Sequence, residues 1–216
     1  MNREKHWDSI YRTKPPTAVS WYQPEARLSL ELISRVAPNL DDPVLDVGGG
    51  ASTLVDGLLA SGYRDVTVMD LAAAALDRAQ DRLGERAAGV RWIVADVLEA
   101  PLPAASCAVW HDRAGFHFLT DPRDRARYVA QVQRVVRPGG HVIVASFGPE
   151  APSQCSGLEV VRYSPDGLHA EFGSAFQLLE STKEDHRTPA GAVQPFVYCL
   201  CRVEADPERS GHDERR

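Results

Sequence analysis

The sequence of 216 residues has no long apolar run, since no stretch approaches the roughly 18 consecutive apolar residues that a membrane helix needs. Its first ten residues are mostly polar or charged and lack the apolar centre of a signal peptide. These absences exclude a protein built around membrane-spanning helices. We therefore expect a cytoplasmic protein without a membrane partner.

Cysteine is also scarce, with four residues, and no two of them form a Cys-x-x-Cys pair. Disulfide frameworks and structural zinc sites usually depend on such closely spaced cysteines. We therefore expect neither of them, and no bound metal. Cys199 and Cys201 lie two positions apart in an apolar, strand-like run, so their side chains should face the same side and pack in the core.

Positive charge is in deficit, because 24 Lys and Arg residues face 30 Asp and Glu residues and the net charge is −6. A surface that follows a phosphate backbone concentrates Lys and Arg, so nucleic acid is not an expected partner. The hydrophobic share of 44% and the charged share of 25% suit a single globular domain. The composition predicts no particular oligomeric state.

From position 43 onward, short Val-rich runs alternate with helical patterns. This alternation is typical of βαβ units and of a mainly parallel sheet with helices on both faces. The first five predicted strands are Val44–Val47, Val66–Asp70, Val90–Ala95, Ala108–His111 and His141–Ser146. The predicted helices are Ser52–Ala60, Ala72–Leu83, Arg123–Val136 and Pro165–Glu171. Two later strands, Phe176–Asp185 and Val193–Val203, should form a terminal antiparallel hairpin, which predicts an α/β, Rossmann-like, seven-stranded fold.

These patterns divide the chain into three parts. Residues 43–203 should form the main domain. Residues 1–42 should form a cap and a helix that leads into the first strand, because this segment is rich in aromatic residues that need a surface to cover. Residues 204–216 have no apolar anchor and should form a disordered tail.

A glycine turn, Gly48-Gly49-Gly50, joins the first predicted strand to the first predicted helix of the main domain. Open α/β sheets place their ligand crevice at this junction, and glycine lets the backbone approach a ligand closely. Asp70 ends the second strand about 20 residues later, with Leu71 after it. This is the spacing of an acid that accepts hydrogen bonds from ribose hydroxyls, although capping of the next helix is an alternative for Asp70.

At these residues the chain resembles the class I S-adenosylmethionine (SAM)-dependent methyltransferases, over about residues 43–147. The family's acidic-x-Gly-x-Gly motif is similar to Asp46-Val47-Gly48-Gly49-Gly50, and its Leu-x-Pro-Gly-Gly stretch before strand five is similar to residues 136–140. Ser52 stands where many members have a third glycine, and its hydroxyl can cap a helix. The resemblance implies SAM as cofactor and S-adenosylhomocysteine (SAH) as product.

The same resemblance implies which residues bind the cofactor. The acid after strand three is Asp96, which would meet the adenine amino group, while the backbone of Val97 would meet a ring nitrogen. The complete set implied is Asp46, Gly48, Gly49, Gly50, Ser52, Asp70, Leu71, Asp96 and Val97.

A nicotinamide-dependent oxidoreductase is a rival interpretation, because it also uses a glycine turn and an acid after strand two. Its G-x-G-x-x-G fingerprint requires a third glycine. When Gly48 is taken as the first glycine, the position of the third is occupied by Thr53. This departure favours a SAM site. A non-catalytic SAM-binding module is a further alternative.

The segment from Trp110 to Phe118 follows strand four, where a methyl acceptor should lie. It holds the candidate catalytic residues His117, Asp112 and His111. Histidine has a near-neutral pKa that suits a base. We expect His117 to open into the crevice beyond the strand, with His111 still inside the strand. An alternative is an Asp112–Arg113 surface ion pair beside core phenylalanines.

A narrower resemblance involves the elongation-factor lysine methyltransferases and some small bacterial relatives. His6-Trp7-Asp8-Ser9-Ile10-Tyr11 is similar to their His-Trp-Asp-x-x-Tyr opening, and residues 112–117 are similar to their Asp-Lys-x-x-Phe-Asp stretch. Arg113 replaces the Lys and His117 replaces the second Asp. The resemblance implies a protein lysine as one possible acceptor, but the loss of the acid favours a small molecule with an oxygen, nitrogen or sulfur nucleophile.

Overall fold

The computed structural model describes residues 2–204. The tail predicted for residues 204–216 therefore lies outside the described residues, apart from Glu204, whose backbone amide donates to Ala175 O at 3.0 Å. None of the helices within residues 2–204 is long and apolar enough to cross a membrane.

The described residues form six α-helices and nine strands. The helices are α1 (Arg3–Thr13), α2 (Arg27–Val36), α3 (Leu54–Ala60), α4 (Ala73–Leu83), α5 (Pro122–Val135) and α6 (Pro165–Phe172). The strands are β1 (Val44–Val47), β2 (Val66–Asp70), β3 (Val90–Val94), β4 (Cys107–Arg113), β5 (Val136–Phe147), β6 (Gln154–Cys155), β7 (Leu158–Glu159), β8 (Phe176–Arg187) and β9 (Val193–Val203).

Seven of these strands form one sheet in the order β3-β2-β1-β4-β5-β9-β8. The first five are parallel, and β9 inserts antiparallel between β5 and β8. The predicted fold is therefore confirmed. The chain runs outward from β1 to β3 and then returns to β4, so the strand order reverses between β1 and β4, which is where such sheets open a crevice.

Helices cover both faces of the sheet because alternate strand residues point to opposite sides. In β1, Val44 packs with residues of α2, α3 and α4, whereas Leu45 packs with residues of α5 and α6. The predicted packing of the cysteine pair in β9 is also present, since Cys199 and Cys201 are buried with their Sγ atoms 3.3 Å apart.

The structure differs from the predicted elements at three places that matter for the site. Strand β4 continues two residues beyond the predicted end at His111, which places Asp112 and Arg113 on the strand. The segment between β5 and α6, in which no strand was predicted, forms the small β6–β7 hairpin. The aromatic cap contains a regular helix, α1, which begins after Asn2 because the Asn2 side chain accepts from Lys5 N at 3.1 Å.

Candidate functional site

A cavity of about 140 Å³ lies at the carboxyl ends of β1 to β4, where the strand order reverses. We call it the main cavity. Its lining contains five of the predicted cofactor residues, namely Gly48, Asp70, Leu71, Asp96 and Val97. Residues that are up to 49 positions apart are therefore brought to one crevice by the ends of three parallel strands.

A second, smaller cavity of about 50 Å³ adjoins the main cavity on the side of the glycine turn. Asp46, Gly49 and Ser52 line this second cavity, while Gly48 lines both cavities. Gly50 lines neither of them. Every other predicted cofactor residue thus lies on one of two adjoining cavities.

The backbone geometry of the turn explains its glycines. Gly48 has a φ of +63° and Gly50 a φ of +51°, a region that residues with a side chain rarely adopt. A Cβ on Gly49 would lie 2.6 Å from Asp46 Oδ2, and a Cβ on Gly50 would lie 2.7 Å from the Tyr11 hydroxyl. The turn therefore fits closely between the side chain of Asp46 on one side and Tyr11 of α1 on the other.

Two acids at the ends of β2 and β3 line the main cavity: Asp70 is the last residue of β2, and Asp96 follows β3. Asp70 Oδ1 accepts from Ala72 N at 2.8 Å, and Asp96 Oδ1 accepts from Leu98 N at 2.9 Å. Burial raises the pKa of Asp70 to about 6 against the opposing effect of the Ala72 bond, and the charge of Asp46 raises it further. An acid held in this way gains from a ligand that donates hydrogen bonds to its ionised form.

Helix α1 and the segment after it cover the main cavity with aromatic side chains. The rings of Trp7 and Phe118 lie 4.9 Å apart, and those of Trp7 and Trp21 lie 5.6 Å apart, both edge to face. Trp21 Nε1 donates to the Tyr11 hydroxyl at 3.2 Å, and an Arg3 nitrogen donates to Phe118 O at 3.2 Å. All five residues line the main cavity. We call these five residues together the aromatic roof of the cavity.

Helix α1 is attached to α4 by two hydrogen bonds. Asp8 Oδ1 accepts from Ala74 N, in the first turn of α4, at 3.0 Å. The N-cap residue of α4, Ala72, has no side-chain acceptor, so Asp8 provides the cap. Arg78 Nε donates to Tyr11 O at 3.4 Å. The His-Trp-Asp-x-x-Tyr pattern therefore corresponds to a helix whose Trp and Tyr roof the cavity and whose Asp caps α4.

Asp112, a candidate catalytic residue, is fully buried and already bonded to three donors. Its Oδ1 accepts from Gly115 N at 2.8 Å and Phe116 N at 3.2 Å, and its Oδ2 accepts from the Tyr128 hydroxyl at 2.7 Å. Burial raises the pKa of Asp112 to about 6 in spite of these bonds. Its carboxyl group shapes the loop after β4 and makes no ion pair with its sequence neighbour.

Arg113 is the residue of this segment whose importance the sequence did not reveal. Its Nε donates to the Tyr198 hydroxyl at 2.9 Å, and its terminal nitrogens contact Trp21 O and Glu184 Oε2 at 3.3 Å each. Its guanidinium carbon lies 4.2 Å from the centre of the Phe196 ring. Arg113 lines both cavities and belongs to a mostly buried network with Glu184, so the alternative of a surface ion pair between Asp112 and Arg113 does not apply. In the sequence, the only sign of its importance is that Arg stands where the similar Asp-Lys-x-x-Phe-Asp stretch has Lys.

His117 does not open into the crevice as we expected. It is fully buried, with its ring centre 4.5 Å from that of Phe118 and 4.7 Å from that of Phe147, and its Nδ1 accepts from Phe147 N at 3.3 Å. A short 3₁₀ turn over residues 116–118 directs the ring inward. Burial, with a further effect from the charge of Arg113, lowers the pKa of His117 to about 3. The ring is therefore neutral and lines neither cavity.

His111 lies inside β4, as expected, and is directed to the opposite face from Trp110. Its Nδ1 lies 2.7 Å from Asp46 Oδ1, and its Nε2 lies 2.8 Å from Ser29 Oγ. Asp46 Oδ2 is buried and has no hydrogen-bond partner among the described residues. Both His111 and Asp46 line the second cavity.

Comparisons with known proteins agree with this geometry. A family model described as a methyltransferase domain matches residues 44–140. The human eEF1A lysine and N-terminal methyltransferase is 25% identical over 94% of this chain and 29% of its own length. An uncharacterized methyltransferase of Mycobacterium tuberculosis is 34% identical over 59% of this chain and 60% of its own length. The chain thus spans less than two thirds of either relative.

Solved structures show the same fold. N-methyltransferase NodS from Bradyrhizobium japonicum, in complex with SAH, superposes with a TM-score of 0.71 at 15% identity and covers 95% of this chain and 100% of its own. A structure from work on the conversion of a disulfide bond into a thioacetal group during echinomycin biosynthesis has a TM-score of 0.74 at 20% identity, covering 96% and 95%. Residues 44–140 are therefore similar to a methyltransferase domain, and the chain has the fold of the N-methyltransferase NodS.

The residues at the two cavities fit SAM, the cofactor that the resemblance implied. The buried Asp46 Oδ2 is an acceptor that lacks a donor within residues 2–204, and SAM carries a cationic amino group. The glycine turn leaves a cradle into which a Cβ at position 49 or 50 could not fit. Asp70 and Asp96 provide carboxylates at the main cavity, in the order along the chain that the resemblance implied.

Proposed function

We propose that this protein is a methyltransferase that transfers the methyl group of SAM to a small molecule with an oxygen, nitrogen or sulfur nucleophile. One observation carries the proposal: the main cavity joins the two acids of the cofactor site to a space at the end of β4 that Trp7, Trp21 and Phe118 cover. A covered, largely aromatic space suits a compact acceptor.

In this proposal the predicted residues hold the cofactor along both cavities. Asp70, next to Leu71, accepts from the ribose hydroxyls, and Asp96 with the backbone of Val97 meets the adenine. Asp46 and the glycine turn, followed by Ser52, hold the methionine end. When bound, SAM supplies a sulfonium with an electrophilic methyl group, which needs no metal.

The remaining residues act by position and by exclusion of water. The aromatic roof keeps water from the reacting groups, which strengthens electrostatic interactions within the cavity. Arg113, held by Glu184 and Tyr198, fixes the wall between the two cavities. Most of the rate gain then comes from holding the acceptor in line with the methyl group.

In this proposal the acceptor atom already has a free lone pair when it enters the cavity, so no protein group has to remove a proton from it. Neither His117 nor His111 lines the main cavity, and three donors already occupy the carboxyl group of Asp112. The predicted role of His117 as a base stays a prediction, with its buried position against it. A neutral amine, a carboxylate or a thiolate needs no base at working pH.

A protein lysine is the second candidate acceptor. It is supported by the human relative, whose name refers to lysine and N-terminal methylation and whose similarity extends over 94% of this chain. Arg113 at the cavity and the roof over it favour the small molecule, because a lysine side chain needs an open channel and gains from an acidic one.

We also propose the domain division that the sequence suggested. Residues 1–42 act as a cap and a lead-in helix, and residues 43–203 act as the SAM-binding domain. The support for this division is that α1 contacts the rest of the protein mainly through the aromatic roof and through α4.

Two measurements test the proposed function. Calorimetry should show micromolar binding of SAM and SAH and none of NAD, and tight NAD binding without SAH binding would contradict it. Tritiated SAM incubated with a cell extract should then label the small-molecule fraction. Label confined to protein, and lost with an Asp70→Ala variant, would favour the lysine alternative.

A further inference from the structure

A buried line of three side chains connects α2 to the second cavity. Ser29 Oγ lies 2.8 Å from His111 Nε2, and His111 Nδ1 lies 2.7 Å from Asp46 Oδ1. Each of the three residues is at most 2% exposed. Asp46 and His111 are also direct neighbours across the β1–β4 pair, so the sheet itself fixes their separation.

The chemistry of the three groups sets the direction of these bonds. A carboxylate can only accept, so His111 Nδ1–H donates to Asp46 Oδ1. In the neutral ring Nε2 then accepts from the Ser29 hydroxyl. Both histidine nitrogens are thereby bonded, and the ring cannot rotate without breaking a buried hydrogen bond. The ring orientation in turn holds the Asp46 carboxyl group.

The second oxygen of Asp46 is the one that lacks a partner. Asp46 Oδ2 is buried without a hydrogen bond from the described residues and lies against the glycine turn, 2.6 Å from where a Cβ on Gly49 would stand. Asp46 is also one of the residues that line the second cavity. A buried carboxylate oxygen without a donor is costly to the fold, so such an atom is a candidate ligand contact. Its negative charge selects a cationic donor.

We infer that Ser29 and His111 are positioning residues, which hold Asp46 so that its Oδ2 receives the cationic amino group at the methionine end of SAM. This inference rests on the proposed use of SAM. His111 takes no proton from the acceptor in this arrangement. It acts through Asp46 on the cofactor alone, so its effect should be confined to one end of the ligand.

Two substitutions of His111 separate its two bonds. In His111→Asn the side-chain amide nitrogen takes the place of Nδ1 and can still donate to Asp46. In His111→Gln the amide nitrogen takes the place of Nε2, so the contact with Ser29 is kept and that with Asp46 is lost. Ser29→Ala removes the far support, and Ser34→Ala, an exposed serine of the same helix, is its matched control.

The test is calorimetric titration with two ligands. SAH has the amino acid end, whereas 5′-methylthioadenosine has the same adenosine and thioether without it. His111→Gln should weaken SAH binding by about tenfold or more, and 5′-methylthioadenosine binding by less than about twofold. His111→Asn should keep SAH affinity within about threefold, and Ser29→Ala should lose about threefold to tenfold. Ser34→Ala should bind both ligands as the wild type does.

Two outcomes would overturn the inference, and a third would overturn the proposed function on which it rests. Equal losses for both ligands would show that His111 merely supports the fold of the whole site. A folded His111→Gln protein with wild-type SAH affinity would show that Asp46 needs no support. Where His111→Gln does not fold, the same comparison is made with Ser29→Ala, which changes no sheet residue. A wild-type protein that binds neither ligand would overturn the proposed use of SAM itself.

Discussion

Asp70→Asn should make the cofactor-free protein more stable at pH 8 while it weakens SAH binding. Burial raises the pKa of Asp70 from its ordinary 3.8 to about 6, so the fold disfavours the ionised form. For an acid with a raised pKa, folding stability falls as the pH rises from about 3.8 to about 6 and stays low above that. Asparagine keeps the acceptor for Ala72 N and carries no charge.

The size of the effect follows from the pKa. At about 1.4 kcal/mol for each pKa unit, holding Asp70 ionised at pH 8 reduces stability by about 3 kcal/mol, or about 2 kcal/mol once partial access of water is considered. In a protein of this size that corresponds to a rise in Tm of about 4 to 8 °C for Asp70→Asn. The same substitution removes a charge-assisted bond to the ribose and should weaken SAH binding about tenfold.

Thermal unfolding at pH 8 and pH 4.5, together with calorimetry of SAH, measures both effects. The gain in Tm over the wild type should be clear at pH 8 and should shrink at pH 4.5, where Asp70 is already largely protonated. Asp77→Asn, at an exposed position of α4, is the matched control and should show no such difference. A lower Tm for Asp70→Asn at pH 8, or an equal gain at both pH values, would refute the reasoning.

The remaining predictions concern the roof, the turn and the buried histidine. Asp8→Ala removes the side chain that caps α4 and should lower the stability by about 1 kcal/mol, so tryptic cleavage after Arg12 should become faster. In the wild type, SAM should slow this cleavage. Cleavage of the wild type at the same rate with and without SAM would contradict this. Gly49→Ala should abolish SAH binding, since its Cβ would lie 2.6 Å from a carboxylate oxygen, whereas Gly89→Ala, with open space around it, should bind normally. The ring of His117, with a pKa of about 3, should show constant NMR shifts between pH 5 and 8, and a titration in that range would disprove its burial.

The sheet, and the position of the glycine turn and Asp70 at its crevice, could be predicted because their signals are local. Strands β1 and β2 are Val-rich runs bounded by turns, and their bounds agree with the structure. The glycine turn and Asp70 are defined by spacing along the chain, and parallel strands then bring such residues to one edge.

The other features depend on contacts that no local pattern encodes. Arg113 and Glu184 lie 71 positions apart, so only the folded sheet brings them together. His117 differs from the expectation because a three-residue turn decides which way its ring points. Helix α1 is strongly polar apart from its aromatic residues, so its periodicity alone did not predict a helix.

The attachment of α1 by a few hydrogen bonds and aromatic edges has a kinetic consequence. Elements with few buried contacts open at a lower free energy than the sheet that carries them. We therefore expect ligand exchange beneath the roof to require detachment of α1, which should make association slower than diffusional encounter allows. The residence time of SAH, and with it the turnover rate, would be governed by this N-terminal helix and not by the reacting groups below it.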